Sequence, residues 1–451
     1  MKLNKIENII FVCFWLFILI DALGKFYRYP IAGQLGLSIN YLKYGYFFPD
    51  INGSDFYPIS AYFPGLAYII YFFRFVIPDY FLFEFLTVLA ILSVFFFFFI
   101  SIKISKKIYK KIPDYNICWL IIILLSLWPC RFWLFYAITF KTDTLSYALI
   151  FYAIYILDLD NKIYKVNFLK VFISFILILY AVALKQQTIS IVLAIGLYSL
   201  FNKHYFFRIF SFMMISAIGL FYFIMYQDSD LWFFNVLIYS GTDFYTLGEI
   251  ISDNYIFIIK TIILGLFLVA CNVEKLGFNN LQGKIKNTFF GYKKNIWLYI
   301  FFFLAISTIP GFFKVGGNYG NFALSMIVFT PIIIYFLGDL RKNILIFTTL
   351  ALLVSELPNL KASSNNYIET KKMQNNVLQS VKGKDLHILT DDESLFSSFL
   401  ISDNNEIHSV GTIMALEQYV NKQQKIEDFY LKKKDVELYD YLIINKNKEK
   451  K

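Results

Sequence analysis

Charge is scarce in this chain: 16% of its 451 residues are Asp, Glu, Lys or Arg, against 58% hydrophobic and 21% aromatic residues. Such a chain cannot cover one core with polar surface, which excludes a soluble globular protein; with a mean hydropathy of +0.58 it falls in the polytopic membrane class. Histidine is rarer still, with three residues, and no Ser or Cys nucleophile motif accompanies His387 or His408, so both are expected to be structural. The four cysteines, Cys13, Cys118, Cys130 and Cys271, lie inside apolar runs without CxxC spacing. That excludes a disulfide framework and a cysteine metal centre, and leaves them as small buried hydrophobes. The polar carboxyl-terminal segment carries no Gly-rich phosphate loop either. The net charge of +10 marks the anchoring of cytoplasmic loops rather than binding to nucleic acid.

What is abundant is the long apolar run. A span needs about 20 apolar residues, and such runs stand at 8–24, 80–102, 117–136, 144–158, 168–184, 187–201, 206–226, 255–272, 295–313, 321–337 and 343–357, about eleven in all. The first follows Met-Lys-Leu-Asn-Lys without a small-residue cleavage site, as expected of a retained span rather than a removed signal peptide. A further run, 59–77, is interrupted by Pro64 and Arg74 and closed by Pro78, which predicts a helix at the membrane surface. With that run excluded, Lys103 to Lys111 share a side with Lys2, Lys5, Lys162, Lys165, Lys203, Arg208, Lys275 to Lys294, Arg341 and Lys342. By the positive-inside rule this side is the cytoplasm. The amino terminus is then cytoplasmic and the carboxyl terminus outside.

The outer face collects the loop 25–79, the turn Lys141-Thr142-Asp143, Lys185-Gln186-Gln187, the acidic turn 227–254 and the turn 314–321. In the first of these, 31–42 has the spacing of an interfacial amphipathic helix, and 48–58 is turn-rich and carries Asp50 and Asp55. Asp21 lies in the last turn of the first span. Lys141 and Asp143, two residues apart between apolar runs, cannot pair on one helix face, so they are expected to be presented together to a ligand. Lys185 with two glutamines at a span end suits a phosphate. After residue 357 the composition turns polar: Tyr367–Val381 reads as an amphipathic helix, 394–400 as a short one, and 386–390, 407–410 and 441–444 as strands. The expected architecture is thus an α-helical polytopic membrane domain, 1–357, followed by a small extracytoplasmic α/β domain, 358–451.

Four short motifs in this order resemble the GT-C class of multi-spanning glycosyltransferases, in the bacterial branch related to the protein mannosyltransferase and aminoarabinose transferase families. Tyr62-Phe63-Pro64-Gly65-Leu66 resembles the aromatic-Pro-Pro-Leu segment of the first outer loop, and Lys141-Thr142-Asp143 the Arg/Lys-x-Asp turn. Leu184-Lys185-Gln186-Gln187-Thr188 resembles a Lys-Gln stretch opening a later span, and Gly316-Gly317-Asn318-Tyr319 a Gly/Asn/Tyr turn. One departure stands out, since the acid expected near the start of the first-loop helix is replaced by Pro30 and Ile31.

The resemblance implies transfer, with inversion, of a sugar from a polyprenyl-phosphate donor to a glycan, lipid or protein acceptor at the outer face of a bacterial cytoplasmic membrane. It assigns acceptor activation to Asp143 with Asp50, Asp55 or Asp21. The donor phosphate falls to Lys185 with Lys141, Arg28 and Gln186, and the substrate cavity to Tyr62, Pro64, Asn318 and Tyr319. No cofactor is called for, and outer carboxylates are compatible with a divalent cation. Two other classes share the polytopic form. An O-antigen ligase or polysaccharide polymerase centres on an Arg- and His-containing loop, which 227–254 lacks; a lipid-linked glycan transporter shows inverted repeats and mid-span charges.

Overall fold

The computed structural model describes residues 5–26, 65–77, 79–109, 114–138, 142–157, 167–201, 205–228, 296–313, 319–338, 341–381, 387–390, 406–409 and 441–443, with shorter stretches between 248 and 283. The helices are α1 (Lys5–Phe26), α2 (Gly65–Arg74), α3 (Asp79–Ile108), α4 (Tyr115–Leu127), α5 (Arg131–Ala137), α6 (Thr142–Leu157) and α7 (Phe168–Leu184). A 3-10 turn at Gln186–Ile189 leads into α8 (Ser190–Phe201), followed by α9 (Tyr205–Asp228), α10 (Ile296–Phe313), α11 (Tyr319–Val328), α12 (Thr330–Leu337), α13 (Lys342–Ser355) and α14 (Leu357–Val381).

Three of these are long and apolar enough to cross a membrane, at Lys5–Gly24, Glu84–Ile108 and Tyr205–Ile224, and Lys342–Ser355 with Leu357–Glu369 makes a fourth if the bent pair is one span. Their surfaces identify the solvent. Ile6, Ile9, Val12 and Leu16 form an exposed row on α1, and Phe212, Met213, Leu220 and Phe223 are more than half exposed on α9. Leaving each such side chain in water forgoes about 1.5–3 kcal/mol of transfer free energy. A protein that displays whole rows of them has lipid around it. The chain is a helical membrane protein. Cys118 and Cys130 are buried as expected, whereas Cys13 lies on the exposed face of α1.

Prolines correct two of the predicted spans. The run 117–136 is broken between α4 and α5 at Trp128-Pro129-Cys130, where Cys130 N donates to Leu125 O at 2.9 Å. The run 321–337 is broken at Phe329, two residues before Pro331. In each case the ring lacks an N–H and clashes with the carbonyl four residues back, so the ladder cannot run through. Pro358, inside the first turn of α14, has the same effect at the 40° bend after Ser355. It also moves the start of the last helix to Leu357, ten residues before the predicted Tyr367. In the described part of the run 59–77, residues 65–77, the helix is α2, ten residues or about 15 Å, half of the hydrocarbon thickness.

The chain divides into two compact units. The first comprises Met1–Ile18, Ala90–Leu220 and Asp243–Pro358. Its core is aromatic: Phe97, Phe151 and Phe301 are fully buried, with Phe151 5.0 Å from Phe97 and 5.7 Å from Phe301 between centroids. Helices α6 and α7 pack closely, and the buried Ser174 hydroxyl donates to Ala153 O at 2.8 Å. A small residue facing a small residue brings the backbones together, as in other helix pairs within membranes.

Polar contacts define the two ends of this unit. At one end the buried Glu7 carboxylate accepts from Asn116 Nδ2 at 2.6 Å and pairs with Lys342. The first turns of α1, α4 and α13 thereby share one carboxylate, where helix dipoles favour negative charge. Lys103 lies 5.7 Å from the Tyr115 ring and Lys107 5.5 Å from Tyr155, which brings the last turns of α3 and α6 to the same end. At the other end the Arg131 guanidinium lies 5.1 Å from the Phe17 ring, and its Nε is 3.1 Å from Glu356 Oε1.

The second unit comprises Leu19–Leu89, Phe221–Thr242 and Asn359–Lys451. Here α14 crosses the end of α1 so closely that a Cβ on Gly24 would overlap the Ser363 backbone. Ser363 Oγ donates to Asp21 Oδ1 at 2.8 Å, and Tyr367 and Lys371 both reach Glu84 on α3. Beyond α14, β1 (His387–Thr390) pairs in parallel with β2 (Glu406–Ser409) and β3 (Tyr441–Ile443), in the order β2-β1-β3. The predicted short helix 394–400 lies outside the described residues.

Candidate functional site

The site is built where α7 ends and α6 begins. Asp143 is the second residue of α6, so its carboxylate stands at a helix amino terminus; Lys185 caps the carboxyl terminus of α7. Each charge therefore occupies the end of a helix whose dipole favours it. At Lys185 the chain leaves the helix, with φ −149° and ψ 111°, and enters the 3-10 turn. Its N–H still donates to Ala181 O at 2.9 Å, while its carbonyl accepts from Thr188 N at 3.0 Å and Thr188 Oγ1 at 2.6 Å. These bonds hold the extended residue on both sides. Lys185 Nζ and Asp143 Oδ1 form an ion pair, with 14% and 19% of the two side chains exposed.

The pair sits at the end opposite the Glu7 node, because α6 runs from Asp143 to Tyr155, which faces Lys107. Around it the 3-10 turn touches α6, α7, α8 and α10. Several hydroxyls there are satisfied locally: Ser146 Oγ donates to Asp143 O at 2.8 Å and Ser307 Oγ to Leu304 O at 2.8 Å. Others are not. Thr144 Oγ1, Tyr147 OH, Gln187 Oε1 and Ser190 Oγ are buried without a hydrogen-bond partner. The Tyr147 hydroxyl lies near Ser307, yet makes no hydrogen bond to it of ordinary geometry. A buried, unpaired polar group costs about 1–3 kcal/mol, so four on adjoining elements make a costly arrangement.

Of the residues singled out from the sequence, Asp143 and Lys185 are thus brought together, and Gln186 opens the 3-10 turn immediately beside them. Tyr319 is the first residue of α11. Asp21 is fully buried in the second unit and bonded to Ser363, a contact between helices. Arg28, Asp50, Asp55, Tyr62, Pro64, Lys141 and Asn318 lie outside the described residues. Among the described residues, no group of three or more His, Cys, Asp or Glu side chains is placed to hold a metal ion.

The Arg131–Glu356 pair and the hydroxyls of Thr144, Tyr147 and Ser190 are not among the residues singled out from the sequence, whereas Gln187 stands there beside Lys185. Arg131 carried its own signal, a cation inside the predicted span 117–136. Thr144, Tyr147 and Ser190 carried none, because isolated hydroxyls are common in apolar helices. Comparison of the chain with protein families, with curated proteins and with solved structures finds no match.

Proposed function

We propose that this protein is a membrane glycosyltransferase that moves a sugar from a polyprenyl-phosphate donor to a hydroxyl of a glycan, lipid or protein acceptor, with inversion. The observation that carries the reading is the Asp143–Lys185 pair, a base and a cation held at facing helix ends beside unpaired hydroxyls. The pair as it stands neutralises itself. A donor phosphate entering the site competes for the Lys185 ammonium, and the Asp143 carboxylate is released as the cation turns to the phosphate. Asp143 then takes the proton of the acceptor hydroxyl as its oxygen attacks the anomeric carbon. The bond from that carbon to the phosphate oxygen breaks, and Lys185 stabilises the charge left on the departing polyprenyl phosphate. Donor binding and base release are one event in this scheme.

The reading includes an eleven-span topology, with the Lys-rich end in the cytoplasm of a bacterial cell and Asp143 and Lys185 at the outer face of its cytoplasmic membrane. Arg28, Lys141 and Gln186 add to the phosphate site; Tyr62, Pro64, Asn318 and Tyr319 line the cavity; and residues 358–451 form an extracytoplasmic α/β domain. Asp50 and Asp55 remain carboxylates of the same face, available to position the acceptor or a divalent cation.

Purified protein in lipid nanodiscs, supplied with radiolabelled polyprenyl-phosphate sugar and a mixed acceptor fraction, tests the assignment. Asp143→Asn should abolish transfer per folded molecule, the folded fraction being measured on the same preparation. Lys185→Gln should raise the KM for the donor more than that for the acceptor. Wild-type transfer by the Asn variant would falsify the role of Asp143.

A further inference from the structure

The four unpaired groups share one neighbourhood. Thr144 and Tyr147 are three residues apart and follow Asp143 along one side of α6. Gln187 lies in the 3-10 turn that touches both α6 and α10, Ser190 opens α8, which packs on α10, and the Tyr147 hydroxyl lies near Ser307 of α10. Three of them are almost wholly enclosed: Thr144 is 1% exposed, Tyr147 0% and Ser190 6%. Their free atoms are three hydroxyl oxygens and an amide oxygen, which can donate and accept but bear no net charge. The ionic groups beside them, Asp143 and Lys185, compensate each other.

From this we infer that Thr144, Tyr147, Gln187 and Ser190 form the sugar-recognising part of the site, and that they select a neutral, hydroxyl-rich sugar over one bearing a carboxylate. The inference rests on the glycosyltransferase reading and specifies its donor. A neutral hexose supplies several hydroxyls, each able to donate and accept, and so satisfies groups that the fold leaves unpaired. A glucuronate brings a second carboxylate beside Asp143, which donor binding has released from Lys185, and an unmatched buried negative charge is strongly disfavoured. Sites that hydrogen-bond a hydroxyl reject analogues lacking it far more sharply than apolar pockets reject a changed methylene, so the selectivity resides in these four residues.

The test uses the full chain in nanodiscs and three probes, polyprenyl phosphate, polyprenyl-phosphate glucose and polyprenyl-phosphate glucuronate, with thermal unfolding measured in parallel. The wild type should bind the glucose lipid about tenfold more tightly than the sugarless lipid, and the glucuronate lipid no more tightly than the sugarless one. Thr144→Val combined with Tyr147→Phe should erase the tenfold preference while leaving affinity for polyprenyl phosphate unchanged. Without any lipid, this double variant and the milder Ser190→Ala should melt at or above the wild-type temperature, because they delete unpaired groups. A preference that survives in the double variant overturns the inference, as does equal preference for glucuronate, or melting lowered by more than about 5 °C in Ser190→Ala as well as the double variant. Selective binding without transfer would instead refute the transferase reading and leave the recognition site standing. Transfer by the wild type with no sugar preference would do the reverse.

Discussion

Replacing Asp143 by Asn removes the carboxylate that pairs with the Lys185 ammonium, in a position where 14% of the lysine side chain reaches solvent. Breaking a fully buried ion pair from one side costs about 3–5 kcal/mol, and a surface pair contributes about 0–1. With more than four-fifths of each partner hidden, the expected loss lies at the lower edge of the first range, about 3 kcal/mol. That is on the order of a hundredfold in the folding constant. Lys185→Met leaves Asp143 at the amino terminus of α6, where the dipole returns about 0.3–1 kcal/mol, so its cost is smaller, about 2 kcal/mol. The double variant Asp143→Asn with Lys185→Met contains neither charge of the pair and should lose only about 2 kcal/mol, giving a coupling energy of about 3 kcal/mol. Denaturant titration in micelles, followed by tryptophan fluorescence, reads all four corners of the cycle, and transfer from the labelled donor is measured on the same preparations. Stability should recover in the double variant while transfer stays abolished. A double variant that regains transfer would refute the chemical role and leave the pair a staple between α6 and α7. A coupling energy below about 1 kcal/mol would refute the desolvation argument itself.

Three further outcomes follow from contacts away from this pair. Gly24→Leu should force α1 and α14 apart at Ser363; oxidative trapping of an Asp21→Cys, Ser363→Cys pair should succeed with Gly24 present and fail with Leu. Glu356→Ala should destabilise by about 3 kcal/mol through the Arg131 it leaves behind, whereas Glu356→Met with Arg131→Met should fall within about 1 kcal/mol of wild type in the same titration. Glu7→Gln keeps an acceptor for Asn116, and Lys342 is 36% exposed and can extend to water, so it should cost only about 1 kcal/mol; Glu7→Ala should cost about 2–3.

The parts of this structure that were legible in the sequence are those where one residue type has one physical use. Long apolar runs mark helices, and the lysines that flank them mark an end, so α1, α3, α6, α7, α9, α10 and α13 begin and end within a few residues of the predicted runs. Asp143 and Lys185 stood out because a charge beside apolar sequence must find a partner or water. Their choice of each other was not legible: Lys141 is nearer in sequence, and only the packing of α6 on α7 brings Lys185 to the amino terminus of α6. The prolines were visible but underweighted. Pro129 and Pro331 each split a run that hydrophobicity alone had joined.

The unpaired hydroxyls were illegible for a different reason. A threonine in an apolar helix normally bonds to a carbonyl three or four residues back, as Thr308 does to Ala305 at 2.7 Å and Thr349 to Leu345 at 2.6 Å. Thr144 is the third residue of α6, so no earlier turn of its own helix offers it a carbonyl. Tyr147 carries its hydroxyl too far from its own backbone to be satisfied there. Their environment therefore decides whether they are paired, and here the neighbouring turn offers Gln187 and Ser190, which are themselves unpaired. Distinguishing a recognition surface from ordinary helix hydroxyls requires knowing where each proton goes, and that depends on packing between segments distant in sequence. An ionisable residue in an apolar run identifies the site, and the uncharged groups enclosed beside it determine which sugar the site can hold.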